Sequence, residues 1–185
     1  MKKTLCALAT LGVAAGFAWS AGRFQEKQDM AKPEKEHAFL KKFEGRWEGT
    51  MSMREGPDQP WKECKGSEQV RMIGEFWAVG EAKSESAEMP MHGITITGYD
   101  PVKKKYVVMW VDSMSPHVMQ AEGTLDKSGN ILTTEVKGID FRTGQPATMT
   151  MVQEFKDKDT VTWSMRSKDK DGKEFECMKG ESKRR

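Results

Sequence analysis

Three Met-x-Met pairs are the residues of this chain best suited to bind a soft metal. The chain has 14 methionines, and the pairs are Met51-Ser52-Met53, Met89-Pro90-Met91 and Met149-Thr150-Met151. Side chains two positions apart on a strand share a face, so each pair would present two thioethers together, and thioethers select Cu(I). Methionine is also an adaptable filler of cores and apolar sites. We expect the pairs to line an interior and keep copper binding as an alternative.

The histidines and the motif content give no sign of catalysis. His37, His92 and His117 do not share the spacing of metal ligands on one strand or helix, which predicts no metal site. His117 follows a predicted loop, where we expect it to be exposed, and a role as a haem ligand is the alternative. Neither a Gly-x-Ser-x-Gly motif nor a Walker loop is present. We therefore predict no catalytic residue and no cofactor.

Three acidic residues fall near apolar positions of predicted strands. Glu68 shares a face with Val70, Asp112 shares a face with Trp110, and Glu122 lies on the next predicted strand. A carboxylate on an apolar face is costly unless it is paired. These groups form either a buried structural network or anchors for the polar end of a ligand in an apolar cup.

Two cysteines, Cys64 and Cys177, fall inside predicted strands. In an exported protein two cysteines are candidates for a disulfide. The alternative is that both are small buried apolar residues.

The elements that position these residues are predicted strands, because the hydrophobic period is two from Trp47 onward. Trp47, Gly49, Met51 and Met53 point one way, and their polar neighbours point the other. Turn-like clusters separate further strands, as in a β-sandwich or barrel. We expect these strands at 61–73, 75–84, 93–99, 105–113, 117–125, 130–138, 146–155, 160–167 and 173–182.

A closed barrel is favoured over a sandwich because the connections are short, as in a meander. A meander of about ten strands leaves two open edges unless its first and last strands pair. One face also carries large side chains that are too bulky to be left in water, including Trp77 or Phe76, Trp110 or Met109, and Trp163. We predict an all-β, closed antiparallel meander barrel of about ten strands. A short helix over 34–43, after Pro33, is expected to cap one end.

The first 20 residues have the pattern of a secretory signal peptide. Lys2 and Lys3 precede an apolar run over 5–17, and Ala18-Trp19-Ser20 offers small residues for cleavage. The run is shorter than the roughly 20 residues of a membrane span. We expect a cleaved leader at 1–20, a flexible tether at 21–33, a barrel domain at 34–185 and a periplasmic or secreted protein without a stable membrane span. An uncleaved anchor is the alternative.

Processing also neutralises the chain. The sequence has 30 Lys and Arg against 28 Asp and Glu, and cleavage removes two lysines, which leaves 28 against 28. A neutral chain with interspersed charges lacks the footprint of nucleic-acid binding, so we expect no nucleic-acid partner.

Several motifs occur in an order found in a known family. They are Gly45-Arg46-Trp47, Gly98-Tyr99-Asp100, Lys105-Tyr106-Val107 with Trp110 and Asp112, and Asp171-Gly172-Lys173-Glu174. With these, the stretch from about Phe39 to Arg184 resembles the bacterial family called domain of unknown function 1579. The resemblance implies a calycin-like (lipocalin-like) barrel and no activity. Such barrels often stack a closing-strand cation on the first-strand Trp, which implies Arg184 or Lys183 on Trp47, beside Gly45.

We therefore expect an exported, non-enzymatic barrel that binds a small hydrophobic or amphipathic ligand in its lumen. A structural or protein-interaction module with a packed lumen, and a haem or copper binder, are the alternatives. The expected lumen residues are Met51, Met53, Glu68, Trp77, Trp110, Asp112 and Glu122.

Overall fold

The computed structural model describes residues 31–86 and 90–185. The expected leader at 1–20 lies outside the described residues, as does most of the expected tether at 21–33. None of the described residues belongs to a helix long and apolar enough to cross a membrane.

Ten antiparallel strands close into a barrel, as the alternating pattern predicted. Each strand pairs with its neighbours in the chain, and the first strand pairs with the last. The strands are β1 (Gly45–Met53), β2 (Lys62–Ile73), β3 (Trp77–Ser84), β4 (His92–Asp100), β5 (Lys105–Asp112), β6 (Ser115–Leu125), β7 (Ile131–Asp140), β8 (Gln145–Phe155), β9 (Thr160–Lys168) and β10 (Glu174–Arg184).

The barrel closes where β1 meets β10, with Trp47 opposite Arg184 and Met53 opposite Met178. Closure pairs both edges of the meander, so neither edge strand is left with unpaired backbone groups. The predicted closed meander of about ten strands is confirmed.

A short helix at Lys35–Phe43 precedes the barrel and is a 3-10 helix. Its buried side chains include Phe39 and Leu40, which join a core cluster with Trp47, Val70 and Tyr106. The helix thus covers the end of the barrel where β1 begins, which confirms the predicted cap. We call this the helix end.

A second core cluster lies on β6 to β10, around Val136, Met149, Met165, Phe175 and Cys177. Strand β7 begins beside the first cluster at Leu132 and reaches the second at Val136. The second cluster is therefore displaced toward the opposite end of the barrel, which we call the far end.

The strand boundaries differ from the expectation by at most two residues, and the start of β6 is the difference that affects an expected loop. We expected a loop through Met114-Ser115-Pro116 with His117 after it, but β6 begins at Ser115. The expected strand start at His117 is therefore two residues too late, and His117 lies within β6, exposed as expected. Proline lacks a ladder donor and is tolerated at the start of a strand, so Pro116 does not end the pairing.

Candidate functional site

The lumen is lined by every second residue of each strand. Trp47 is buried, with 4% of its surface exposed. Its face of β1 also carries Met51 and Met53, because side chains alternate between the two faces of a sheet. The register carries this face around the barrel from strand to strand.

Four methionines lie in one row on adjacent strands of the lumen. Met53 pairs with Met178, Met178 pairs with Met165, and Met165 pairs with Met151. Directly opposed side chains have Cβ atoms about 4.5–5.5 Å apart, so the four methionine side chains are successive neighbours. Met165 is buried and the other three are half-buried. We call these residues the methionine row.

Two indole rings lie along the wall of the lumen, each over a glycine of the next strand. A Cβ at Gly180 would overlap the ring of Trp163, and a Cβ at Gly93 would overlap the ring of Trp110. Gly180 is half-buried, as are both tryptophans. Because each ring occupies the space of a missing side chain, it lines the wall.

Glu68 lies on β2 next to two residues that leave it room. A Cβ at Gly80 would overlap its carboxyl group, and the hydroxyl of Thr95 donates a hydrogen bond to its Oε1 at 3.3 Å. Burial raises the pKa of Glu68, and the hydrogen bond from Thr95 partly offsets this. No ion pair among the described residues includes Glu68.

Asp112 lies in the same interstrand row as Glu68. Glu68 pairs with Ala82, Ala82 pairs with Gly93, and Gly93 pairs with Asp112. Asp112 accepts a hydrogen bond from Nε1 of Trp110 at 2.7 Å, and this bond holds the indole in place. We call the row from Glu68 to Asp112 the acidic row.

The helix end is closed by the expected stack on Trp47. The guanidinium carbon of Arg184 lies 4.3 Å from the ring centroid of Trp47. Nε1 of Trp47 donates to the carbonyl oxygen of Phe43 at 2.7 Å, and the hydroxyl of Tyr106 donates to the carbonyl oxygen of Glu36 at 2.8 Å. These bonds tie the helix to the barrel.

Gly45 has the backbone conformation that this closure requires. Its φ is +128°, and a Cβ there would contact the Arg184 guanidinium. The expected structural role of Gly45 therefore has a steric basis.

A buried ion pair that sequence reasoning missed lies toward the far end. The side chains of Arg142 and Asp140 are 6% and 3% exposed, and Ser167 donates to Asp140 at 2.9 Å. Burial alone would raise the pKa of Asp140, but the hydrogen bonds from Arg142 and Ser167 lower it below its ordinary value. Arg142 also lies 4.8 Å from the centroid of Phe175. The Asp-x-Arg spacing across a turn was the available signal.

Two expected lumen residues lie outside the barrel. Trp77 is 41% exposed and precedes the buried Ala78, so the expectation that it lines the lumen is wrong. A Cβ at Gly98 would overlap the Trp77 ring, which lies against the outer wall. Glu122 is likewise wrong as a lumen residue, because its carboxylate pairs with Lys103 at 2.5 Å and Lys105 at 3.6 Å on the outer surface. The residues that face inward next to them, Ala78 and Ala121, are small.

Both cysteines are buried free thiols in the structure. Cys64 on β2 and Cys177 on β10 are separated by β1, which places them about two strand spacings, or roughly 10 Å, apart. A disulfide requires Cα atoms within about 7 Å. The geometry therefore opposes the candidate disulfide. The Sγ of Cys177 instead donates to the carbonyl oxygen of Met165 at 3.4 Å.

In the part of the chain that the structure describes, few candidate metal ligands lie close together. Within it, no group of three or more His, Cys, Asp or Glu side chains is placed to hold a metal ion. Met51 and Met53 share the inward face, as do Met149 and Met151, whereas Met89 lies outside the described residues.

Comparison with known proteins gives one family and a common fold. A family model described as "Protein of unknown function (DUF1579)" matches residues 32–184. The crystal structure of Rv2717c from M. tuberculosis is similar, with a TM-score of 0.61 and 11% identity, over 83% of this chain and 99% of that chain. That likeness concerns the fold alone.

Two designed proteins are more distant. A fluorescence-activating β-barrel designed de novo has a TM-score of 0.42 and 18% identity, over 79% of this chain and 96% of that one. The redesigned barrel mFAP0, bound to DFHBI, has a TM-score of 0.43 and 14% identity, over 77% and 99%. No curated protein matches this chain significantly.

Proposed function

The chain belongs to the DUF1579 family of proteins of unknown function, and on that premise we propose that its barrel holds a small apolar or amphipathic molecule. The proposed site is the lumen between the methionine row and the acidic row. Met51, Met53 and Trp110 supply apolar surface, and Glu68 and Asp112 supply the polar contacts.

The observation that carries this proposal is the placement of the two inward indoles over glycines. Trp110 over Gly93 and Trp163 over Gly180 fill space beside the wall, and both rings stay half-buried. Eight-stranded barrels have interiors that side chains just fill or that hold one small ligand, and diameter grows with strand number. A ten-stranded barrel is wider than these, and rings held against the wall support an interior that admits a guest.

The lining also has the composition of a ligand site. Such sites are mostly apolar with a few placed polar groups. Methionine suits this role because its flexible thioether adapts to guests of different shape. If side chains fill the lumen instead, the protein should purify without a bound small molecule.

The first experiment is native mass spectrometry of the protein purified from its own host, followed by titration with the neutral fluorophore N-phenyl-1-naphthylamine. We expect a co-purifying small molecule and saturable fluorescence enhancement. Ala82→Phe places a ring on the inward face of β3 between Glu68 and Gly93, and should abolish the enhancement.

The matched control is Val79→Phe, which adds the same ring to the outward face of the same strand. It should leave the enhancement intact. Equal fluorescence enhancement in the two variants would place the probe outside the lumen and contradict the proposal. A bare protein that does not bind the probe would favour a packed structural module.

A second candidate function, Cu(I) binding, is favoured by the methionine row alone. Four successive thioethers are a soft ligand set. Competition with a Cu(I) chelator tests it. Affinity weaker than micromolar, or affinity unchanged in Met165→Leu, would discard it.

Export is the remaining part of the proposal and rests on the leader pattern over 1–20. The intact mass of the protein from a periplasmic extract tests it. A chain that begins near Ala21 is expected, and a full-length chain retained in the membrane fraction would contradict cleavage.

A further inference from the structure

The two sides of the lumen differ in charge. The methionine row occupies β1, β10, β9 and β8, whereas the acidic row occupies β2 to β5. The two carboxyl groups of the acidic row are three strands apart, about 14 Å by strand spacing, with Ala82 and Gly93 between them. Because Ala82 and Gly93 have little or no side chain, they do not fill the space between the two acids.

No cation compensates these acids among the described residues. None of the ion pairs formed there includes Glu68 or Asp112. Arg142 is committed to Asp140, and Arg184 is committed to the Trp47 stack and to Asp159 at 3.4 Å.

The elements packed around Glu68 carry no other charge on the lumen face. Trp47 faces it from β1, Gly80 and Ala82 from β3, and Thr95 from β4. In the same interstrand row, Arg184 lies two strands from Glu68, beyond Trp47, and Asp112 lies three strands away on the other side. Glu68 is thus a half-buried carboxyl group on the lumen face with one hydroxyl partner.

A carboxylate buried without a cation is costly, and a cation that enters the site removes most of that cost. Burial raises the pKa of Glu68, which is the expected sign of such an incomplete site. An ammonium group would also find the Trp110 ring on the same wall, where cation–π attraction adds to binding.

We propose that the lumen selects organic cations, with an ammonium group held by the Glu68 carboxylate and an apolar body along the methionine row. This inference rests on the proposed function, because it requires that the lumen binds a guest. It names the chemical class of that guest as an amphipathic amine.

The test compares three probes that share one chain and differ in head group: decylamine, 1-decanol and decanoate. Calorimetric titration at pH 7.4 should show decylammonium binding at least about tenfold more tightly than decanol, as expected for a charge-assisted contact in a buried site. Decanoate should bind most weakly of the three.

Glu68→Gln should remove the preference for decylammonium and leave the affinity for decanol unchanged. Glu122→Gln, which removes a carboxylate from the outer surface, is the matched control and should keep the preference. In the wild type, the preference should also decline on acidification as Glu68 takes up a proton, a readout that needs no variant.

The outcomes separate this inference from the proposed function. Decanol binding as tightly as decylammonium would overturn the amine inference and leave lumen binding intact. Failure to bind any of the three probes would count against lumen binding itself. A preference that survives Glu68→Gln and is lost in Asp112→Asn would overturn the assignment to Glu68.

Discussion

The inward glycines of this barrel determine where its large side chains lie. Gly180 and Gly93 receive the rings of Trp163 and Trp110, and Gly80 receives the carboxyl group of Glu68. A glycine in a strand weakens the strand unless another group occupies the vacated space. Here the occupant comes from a neighbouring strand.

Gly180→Ala should push the Trp163 ring away from the wall and into the lumen. Added methyl groups in a packed site cost about 1–3 kcal/mol, and we expect a loss of that size in the free energy of unfolding. Urea titration and near-ultraviolet circular dichroism measure the two effects. The control is Gly129→Ala, where φ is +73° and nothing lies near the added methyl. It should lose stability without a change in the indole signal.

Glu68→Gln should raise the melting temperature of the empty protein at neutral pH. Because the pKa of Glu68 is higher in the folded state than its ordinary value of 4.5, the ionised side chain destabilises the fold above that pH. The gain should shrink as the pH falls toward 4.5 and vanish below it. Melting curves from pH 4 to 8 measure this.

Glu122→Gln again provides the control, with the opposite sign. Hydrogen bonding to Lys103 lowers the pKa of Glu122, so its ionised form favours the fold and its loss should slightly lower stability at neutral pH. A Glu68→Gln variant less stable than wild type throughout would indicate a structural role for the carboxylate.

Among individual residues, the sequence predicted some lumen-facing positions correctly, and the positions that it missed share one cause. Met51, Met53 and Glu68 were recoverable because alternation places them on the face of Trp47. Trp77 and Glu122 were not, because β3 places Trp77 outside and the small Ala78 inside, and β6 places Glu122 outside and the small Ala121 inside. The size of hydrophobic side chains predicts the inward face of a strand only when that strand's own side chains fill the adjacent interior. Where the inward residues are small, side chains of neighbouring strands fill it instead.

Among the elements, the N-terminal helix is held by groups from several parts of the barrel. Lys42 donates to Asn130 Oδ1 at 2.8 Å, and Arg184 Nη2 donates to the carbonyl oxygen of Lys42 at 2.9 Å. A single short 3-10 helix has little stability alone. Its order therefore comes from the barrel that it covers.

Leu40→Ala should open a cavity under the helix. Leu40 is fully buried, and truncation of such a residue costs about 2–5 kcal/mol. Lys41→Ala, next in the chain and exposed, should change stability by less than about 0.5 kcal/mol. Urea unfolding measures both variants. Equal stability of the two would show that the helix does not seal the barrel.

The strands were largely predictable because alternation and turn residues are local signals. The start of β6 was not, since Pro116 indicates a turn in isolation and is tolerated once the neighbouring strand supplies the ladder. The Asp140–Arg142 pair was also missed, because it depends on Ser167 from β9, which is distant in the chain.

For the whole molecule, closure depends on the pairing of β1 with β10 and on the Trp47–Arg184 stack. The sequence predicted closure from the cost of open edges, and the stack entered through the family resemblance. Neither argument specified the width of the lumen, which depends on the side chains of all ten strands together.

Trp47→Ala should lower the free energy of unfolding by about 3–5 kcal/mol, as core Trp truncations do. It removes the ring under Arg184 and the hydrogen bond to Phe43. Trp77→Ala, on the outer wall, should cost clearly less. Thermal and urea unfolding compare the pair, and an unchanged midpoint for Trp47→Ala would contradict its role in closure.

The meander has a consequence for how the chain folds. Among the described strands, every pairing except that of β1 with β10 joins segments adjacent in the chain, so most of the ladder can grow by successive hairpins. The entropic cost of closing a long loop is therefore confined to one step, the pairing of β1 with β10. Since Trp47 and Arg184 are partners, the two ends of the domain are neighbours in space. A linker could therefore join these two ends, with new termini placed in a turn between two other strands. In such a permuted chain, β1 and β10 would be adjacent in sequence and could pair as a hairpin.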